Sequence, residues 1–197
     1  GAADPSWTAS DIATSADGAQ QVFVADMDGD GDMDIVSASS DDNTIAWYEN
    51  DGAANPSWAA SDISTSADFA TSVFVADMDS DGDMDIVSTS ANDDAVSIYI
   101  NNGASNPSWS VSDISTDANG ARGVFIADID NDGDLDIISA SENDDKIAWY
   151  QNSAGRNAPQ ITSVTSSQDN GSYGVGTEIP IFVNYSDQVL VTGTPQL

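Results

Sequence analysis

Asp26-Met27-Asp28-Gly29-Asp30-Gly31-Asp32-Met33-Asp34 returns, displaced by 51 residues and without a gap, as Asp77-Met78-Asp79-Ser80-Asp81-Gly82-Asp83-Met84-Asp85. It returns once more as Asp128-Ile129-Asp130-Asn131-Asp132-Gly133-Asp134-Leu135-Asp136. Five carboxylates in nine residues repel one another unless a cation lies among them. The stretch therefore predicts a bound ion as well as a local fold, and its repetition predicts that the ion is structural.

Working outward, the register holds on both sides of the loop. Pro5-Ser6-Trp7 lies over Pro56-Ser57-Trp58 and Pro107-Ser108-Trp109, and Val22-Phe23-Val24-Ala25 over Val73-Phe74-Val75-Ala76 and Val124-Phe125-Ile126-Ala127. Ile45-Ala46-Trp47-Tyr48 lies over Val96-Ser97-Ile98-Tyr99 and Ile147-Ala148-Trp149-Tyr150. A period of this length points to propellers or arrays. Within one unit four short strands are expected, at about Trp7 to Ile12, Gln21 to Ala25, Asp34 to Ser39 and Thr44 to Glu49. They are rich in β-branched and aromatic residues, they are separated by Asp, Asn, Gly and Ser clusters, and no stretch has helical periodicity.

Four strands per unit make the blade of a β-propeller, which buries its faces only by stacking on neighbours. The fold class read from the sequence is thus all-β, with three four-stranded blades at 1–51, 52–102 and 103–153. Propellers ordinarily close with four to eight blades, so three should not close a ring. Further blades, further chains or an open stack must complete the array. After a linker at 154–158, residues 159–197 change composition, with strand-like runs at Gln160 to Thr165, Glu178 to Tyr185 and Val189 to Thr192. An immunoglobulin-like sandwich needs about seven strands, and this segment supplies less than half of one. Open β edges of this kind invite pairing with another chain.

Calcium takes 6 to 8 oxygen ligands, and a loop supplies them when alternate side chains turn inward around a Gly that allows a sharp bend. With Asp26 as position one, side-chain ligation is expected from Asp26, Asp28, Asp30 and Asp34, and a backbone carbonyl from Asp32 at position seven. The same roles fall on Asp77, Asp79, Asp81, Asp85 and Asp83, and on Asp128, Asp130, Asp132, Asp136 and Asp134. The bend falls at Gly31, Gly82 and Gly133. An EF-hand would carry Glu at position twelve and continue as a helix, whereas this chain has Ser37, Ser88 or Ser139 there within a strand-like Asp-Ile-Val/Ile-Ser. The expected element is a calcium loop in a β-hairpin, with three Ca2+ per chain. Magnesium keeps more of its waters and fits such a protein cage less well. Asp and Gly are also ordinary turn formers, but unchanged spacing in three copies favours the ion.

Residues 1 to about 153 resemble the FG-GAP or VCBS repeats, the propeller units of integrin α-subunits and of many bacterial surface proteins. The resemblance is carried by Asp-x-Asp-x-Asp-Gly-Asp-x-Asp, preceded by Val-Phe-Val/Ile-Ala and followed by Asp-Ile-Val/Ile-Ser. The Phe-Gly-Gly-Ala-Pro signature is absent, and the VCBS type fits better. The resemblance implies calcium loops on one rim of a propeller and a role in adhesion, carbohydrate binding or assembly. Ile161-Thr162-Ser163-Val164-Thr165 and Val191-Thr192-Gly193-Thr194 resemble the start of a bacterial immunoglobulin-like repeat.

Composition excludes several classes of function. Against 34 acidic residues stand only Arg122, Lys146 and Arg156, a formal net charge of −31. Nucleic-acid binding depends on Lys and Arg displacing counterions from phosphate, and anionic membranes pose the same demand. No apolar run approaches the roughly 20 residues of a spanning helix. With no Cys and no His, thiol chemistry, disulfides and the commonest general base are absent. The sequence begins at Gly1 without a Met, a basic stretch or an apolar stretch, so the chain is read as processed or excerpted.

Paired carboxylates also serve glycosidases, but an active site breaks a repeat's symmetry, and these aspartates occur in triplicate. No enzyme activity is expected. Trp47-Tyr48, Ile98-Tyr99 and Trp149-Tyr150 are read as packing between blades rather than as sugar platforms, as are Trp7, Trp58 and Trp109 near a blade edge. Arg122 and Lys146 break the repeat, where a partner contact is conceivable and drift is the simpler reading. Asn170-Gly171-Ser172 and Asn184-Tyr185-Ser186 fit the glycosylation pattern. The expectation is an extracellular or cell-surface calcium-binding repeat protein that builds a fibre or assembly by self-association through open β edges. The alternative is an adhesin or lectin that binds a glycan or protein ligand through the propeller.

Overall fold

A computed structural model describes residues 4–153, 161–166 and 181–185. The described residues contain thirteen strands and no helix. The chain divides into two compact units, Gly1–Asn152 and Ser153–Leu197.

In the first unit, β1 (Ala19–Ala25), β2 (Asp34–Ser39), β3 (Thr44–Asn50) and β4 (Trp58–Ser64) pair in that order as an antiparallel sheet. β5 (Ala70–Ala76), β6 (Asp85–Ser90), β7 (Ala95–Asn101) and β8 (Trp109–Ser115) repeat it. The third sheet has three strands, β9 (Ala121–Ala127), β10 (Asp136–Ser141) and β11 (Lys146–Tyr150). The phase of the blade therefore differs from the expected one. The Trp-containing strand does not open its own blade; it closes the blade before it, β4 and β8 adding to β3 and β7. Residues 7–12, expected as a first strand, form none, and among the described residues no other blade offers them an edge. Reciprocally, the third blade has three strands rather than four among the described residues.

Each sheet has two apolar faces, as period-2 alternation in a doubly covered sheet requires. Val36, Ala38, Ile45 and Trp47 of the first blade pack against Val73, Val75 and Ile86 of the second. Val87, Val96 and Ile98 of the second pack in the same manner on Val124, Ile126 and Ile137 of the third. Full burial of one such side chain contributes about 1.5–3 kcal/mol, so each inter-blade layer is a core in its own right. Phe23, Phe74 and Phe125 run through the array as a ladder, with ring centroids 4.7 and 5.2 Å apart.

Polar bonds fix the spacing of the blades. Bulges at the starts of β1, β5 and β9 re-aim one residue each. In the second blade the bulge turns Thr71 inward, where its hydroxyl meets the Ala121 carbonyl of the third at 2.8 Å. On the rim formed by the β2–β3 and β6–β7 turns, Asn43 and Asp94 take left-handed backbone angles. Their side chains accept the N–H of Phe69 and of Gly120 from the following blade, each at 2.9 Å.

The second unit contributes β12 (Ile161–Ser166) and β13 (Ile181–Tyr185), an antiparallel pair with a bulge between Ile161 and Ser163. Among the described residues this unit holds one two-stranded sheet, which does not by itself make the immunoglobulin-like sandwich expected from the sequence. The expected run at Val189 to Thr192 and the Asn170 acceptor lie outside the described residues. Asn184 is exposed and donates to Ser163 Oγ at 2.8 Å.

Candidate metal centres

Each acidic nonapeptide forms the loop between a blade's first two strands, leaving the sheet at position one and re-entering it at position nine. The glycine at position six adopts φ of +96°, +102° and +98° at Gly31, Gly82 and Gly133, a region costly for any residue with a Cβ. Position four is left-handed too, at Gly29, Ser80 and Asn131. Two of the three loops therefore hold a non-glycine residue in a strained conformation, which the sequence spacing alone did not show.

The backbone wraps around the carboxylates. Asp26 accepts the N–H of Gly29 at 2.8 Å through Oδ1 and that of Gly31 at 3.0 Å through Oδ2. Asp77 accepts Asp81 and Gly82, both at 3.1 Å, and Asp128 accepts Gly133 at 3.2 Å. At position three, Asp28, Asp79 and Asp130 each accept the N–H two residues on, at 3.2 Å.

Position nine is the anchor. Asp34, Asp85 and Asp136 are buried. One oxygen of each accepts the position-two N–H, from Met27 at 3.1 Å, Met78 at 2.8 Å and Ile129 at 3.1 Å. The other accepts, at 2.8 Å, the N–H of Asn50, Asn101 or Asn152. These asparagines reach further: Asn101 Nδ2 donates to the carbonyls of Met84 and, in the preceding blade, Met27, and Asn152 Nδ2 donates to Met78. Asn50, Asn101 and Asn152 recur at the same 51-residue period, a signal that could have disclosed them in the sequence.

Carboxylate oxygens of Asp26, Asp28 and Asp34 lie within 4.8 Å of one another, as do those of Asp77, Asp79 and Asp85, and of Asp128, Asp130 and Asp136. Oxygens on opposite sides of one calcium, each about 2.3–2.6 Å from it, are separated by about 5 Å at most, so each triad fits a single such ion. Position five stands apart from these triads: Asp30, Asp81 and Asp132 each accept the N–H two residues ahead, at 2.8, 3.0 and 3.0 Å. At position seven, the carboxylates of Asp32 and Asp83 lie against Gly52 and Gly103, where a Cβ would collide with them.

Crowding shows in the titration of these groups. Burial pushes the Asp85 carboxyl up to about 6, against the hydrogen bonds from Asn101 and Met78, and the charges of Asp79 and Asp81 add to the rise. Asp28 and Asp79 are also raised, first by desolvation and further by neighbouring aspartates. Desolvation raises Asp136 as well, but hydrogen bonds from Asn152, Ile129 and Trp149 outweigh it and leave the group below its ordinary range. Among the described residues no blade lies beyond the third, so less protein surrounds Asp136. A cation among such carboxylates would favour their ionised form.

Lys146 and Arg122 bond within their own blade, to Asp144 at 2.8 Å and to Glu142 at 2.7 Å, and Arg122 also lies 5.4 Å from the Phe69 ring centroid. The partner contact entertained for them is not needed. Trp47 is buried between blades, while Trp149, at the same place in the third blade, is half exposed.

The sequence profile of the FG-GAP-like repeat matches residues 26–88 and 85–139, which together make up more than half of the chain. No curated protein gives a significant match.

Proposed function

Because the chain belongs to the FG-GAP-like repeat family, we propose that it is a non-enzymatic, calcium-binding structural protomer of an extracellular assembly. FG-GAP-like repeats are typical of extracellular and surface proteins, a structural and adhesion family rather than an enzyme family. Among the described residues no helix is long and apolar enough to cross a membrane.

The observation that carries the reading is the threefold recurrence of the acidic loop, with its position-nine aspartate hydrogen-bonded in every copy to the N–H of an asparagine at or just past the end of the blade's third strand. Catalysis needs one site, and a scaffold needs the same joint at every step. The residues that would hold the ion are the triad at positions one, three and nine. Position seven would add its carbonyl, since its side chain is turned to the neighbouring glycine in two of the loops. Position five would join by a change of side-chain rotamer. The bound ion would offset the repulsion among these carboxylates and so convert binding free energy into folding free energy.

The test is sedimentation and negative-stain imaging of the purified chain in millimolar calcium and in chelator. Ordered oligomers or filaments in calcium alone are expected. A chain that is monomeric in both, and that captures glycans on an array, would be an adhesin instead.

A further inference from the structure

Among the described residues two faces of the blade array are largely exposed, and the counterpart of each is already built elsewhere in the same molecule. On the third blade, Ile147 is 77% exposed and Trp149 49%, whereas the same positions are 0% and 9% at Val96 and Ile98 and 0% and 3% at Ile45 and Trp47. Ile147 borders a shallow groove with Gly123, Val124, Phe125, Ile138 and Ala140. On the first blade, Val22 and Val24 are 59% and 54% exposed, whereas Val73 and Val75 are 0% and 5%. The first face is the one each blade turns to its successor, and the second is the one it turns to its predecessor.

Two strand positions are unfilled in the same reciprocal way. Among the described residues nothing pairs with the outer edge of β11, where β3 and β7 carry β4 and β8. β12, the next strand in the chain, pairs with β13 in a sheet of its own. Conversely, Ser6-Trp7-Thr8-Ala9-Ser10-Asp11-Ile12 has the pattern of Ser57-Trp58-Ala59-Ala60-Ser61-Asp62-Ile63 but lies outside any sheet.

We propose that the outer face of the third blade receives the first blade of a second copy of this chain, with that copy's residues 7–13 joining β11 as its fourth strand. This rests on the assembly reading above and names the partner and the register. The β3–β4 and β7–β8 pairings, advanced by one repeat, set Ile147 opposite Ala13, Ala148 opposite Asp11, Trp149 opposite Ser10 and Tyr150 opposite Ala9. Val22 and Val24 of the incoming copy then cover Ile147 and Trp149, as Val73 and Val75 cover Ile45 and Trp47.

Three further features of the first and third blades continue the internal pattern. Phe125, 58% exposed, ends the phenylalanine ladder where the second copy's Phe23 would extend it. Asp145 keeps the left-handed φ of +55° with which Asn43 and Asp94 receive the next blade, and the incoming Gly18 N–H stands where Phe69 and Gly120 donate. Asn50 of the incoming copy stands to reach the carbonyl of Ile129 as Asn101 reaches Met27 and Asn152 reaches Met78. Gly123 departs from the pattern, since it supplies no side chain where Gln21 and Ser72 accept the next blade's N–H. The contact is head-to-tail, so it joins two or more copies into a ring where the blade-to-blade rotation closes and into a filament where it does not.

The chain has no cysteine, so disulfide trapping tests the register cleanly. The rung to trap is the Ala148–Asp11 one, because at the equivalent rung the side chains meet: Ser97 Oγ donates to Asp113 at 2.8 Å. In calcium, oxidising a mixture of Asp11→Cys and Ala148→Cys chains should give a covalent dimer at least about tenfold faster than a mixture of Asp11→Cys and Ser105→Cys chains, because the rung holds the thiols at high effective concentration. Ser105 is an exposed loop position.

Equal rates in chains that still assemble with calcium would overturn this interface and leave the assembly reading standing. A chain that stays monomeric in calcium would overturn both. A disulfide within one chain of the doubly substituted protein would show self-closure and also overturn it. Ile147→Asp, at an exposed position, should abolish the larger species while leaving the monomer's melting transition in place; oligomers that survive the substitution would again count against the interface.

Discussion

Replacing Asp34 by Ala in calcium-free solution should lower the unfolding free energy by about 2–4 kcal/mol. The figure follows from its two partners. Met27 N–H, 3.1 Å from Oδ2, is buried with its residue and would be left without an acceptor; an orphaned buried donor costs about 1–3 kcal/mol. Asn50 N–H, 2.8 Å from Oδ1, is partly buried and is reached by water more readily, adding about 0.5–1.5 kcal/mol. The comparison variant is Asp30→Ala in the same loop, which loses one exposed hydrogen bond, from Asp32 N–H at 2.8 Å, and should cost less than about 1 kcal/mol. Urea unfolding of the parent and both variants in chelator measures the difference without any metal contribution. Equal costs for the two variants, or a cost for Asp34→Ala under about 0.5 kcal/mol, would refute the claim that position nine is a structural anchor independent of the ion.

Asp85 supplies a pH test. Its folded-state carboxyl lies at about 6, above the ordinary 3.8, so the calcium-free folded chain holds a proton that the unfolded chain releases between those values. Stability in chelator should therefore fall as pH rises through that window, by up to about 3 kcal/mol, and Asp85→Asn should flatten the trend; a variant as steep as the parent would contradict this. In calcium the sign reverses, because the ion needs the carboxylate, and stabilisation by calcium should fade below pH 6. Asn101→Ala removes the donor to Met27 and Met84 and should lower the urea midpoint by the equivalent of about 1–3 kcal/mol, an unchanged midpoint refuting the inter-blade clamp. Ser80→Gly should raise stability by about 1 kcal/mol, since Ser80 sits at φ +62° and glycine takes that region without a Cβ clash; a loss of stability would refute the reading of strain.

The repeat, the strand content and the hairpin setting of the loop were all legible, because they depend on local spacing and on residue types that favour strands. The phase of the blades was not. Trp58–Ser64 has the same sequence character whether it opens its own sheet or closes the preceding one, and only the pairing of Asn50 with Trp58 in space decides the matter. The aspartates at positions one, three and nine come together in all three copies. Position five looks identical in the sequence and accepts the N–H two residues ahead as position three does, yet its carboxylate lies outside the triads. The anchoring role of position nine depends on an asparagine sixteen residues later, beyond the reach of a reading confined to the loop. The packing role assigned to Trp47 fits its burial, while Trp149, with no further blade against it among the described residues, is half exposed.

Calcium binding to the purified chain, measured by titration calorimetry with parallel equilibrium dialysis, tests the central claim most directly. The account predicts three ions per chain, one for each triad, with dissociation constants of about 10⁻⁴–10⁻³ M as in extracellular modules, and two ions per chain in Asp85→Asn. No bound calcium at millimolar concentrations, or the same number of ions in the parent and in Asp85→Asn, would contradict it.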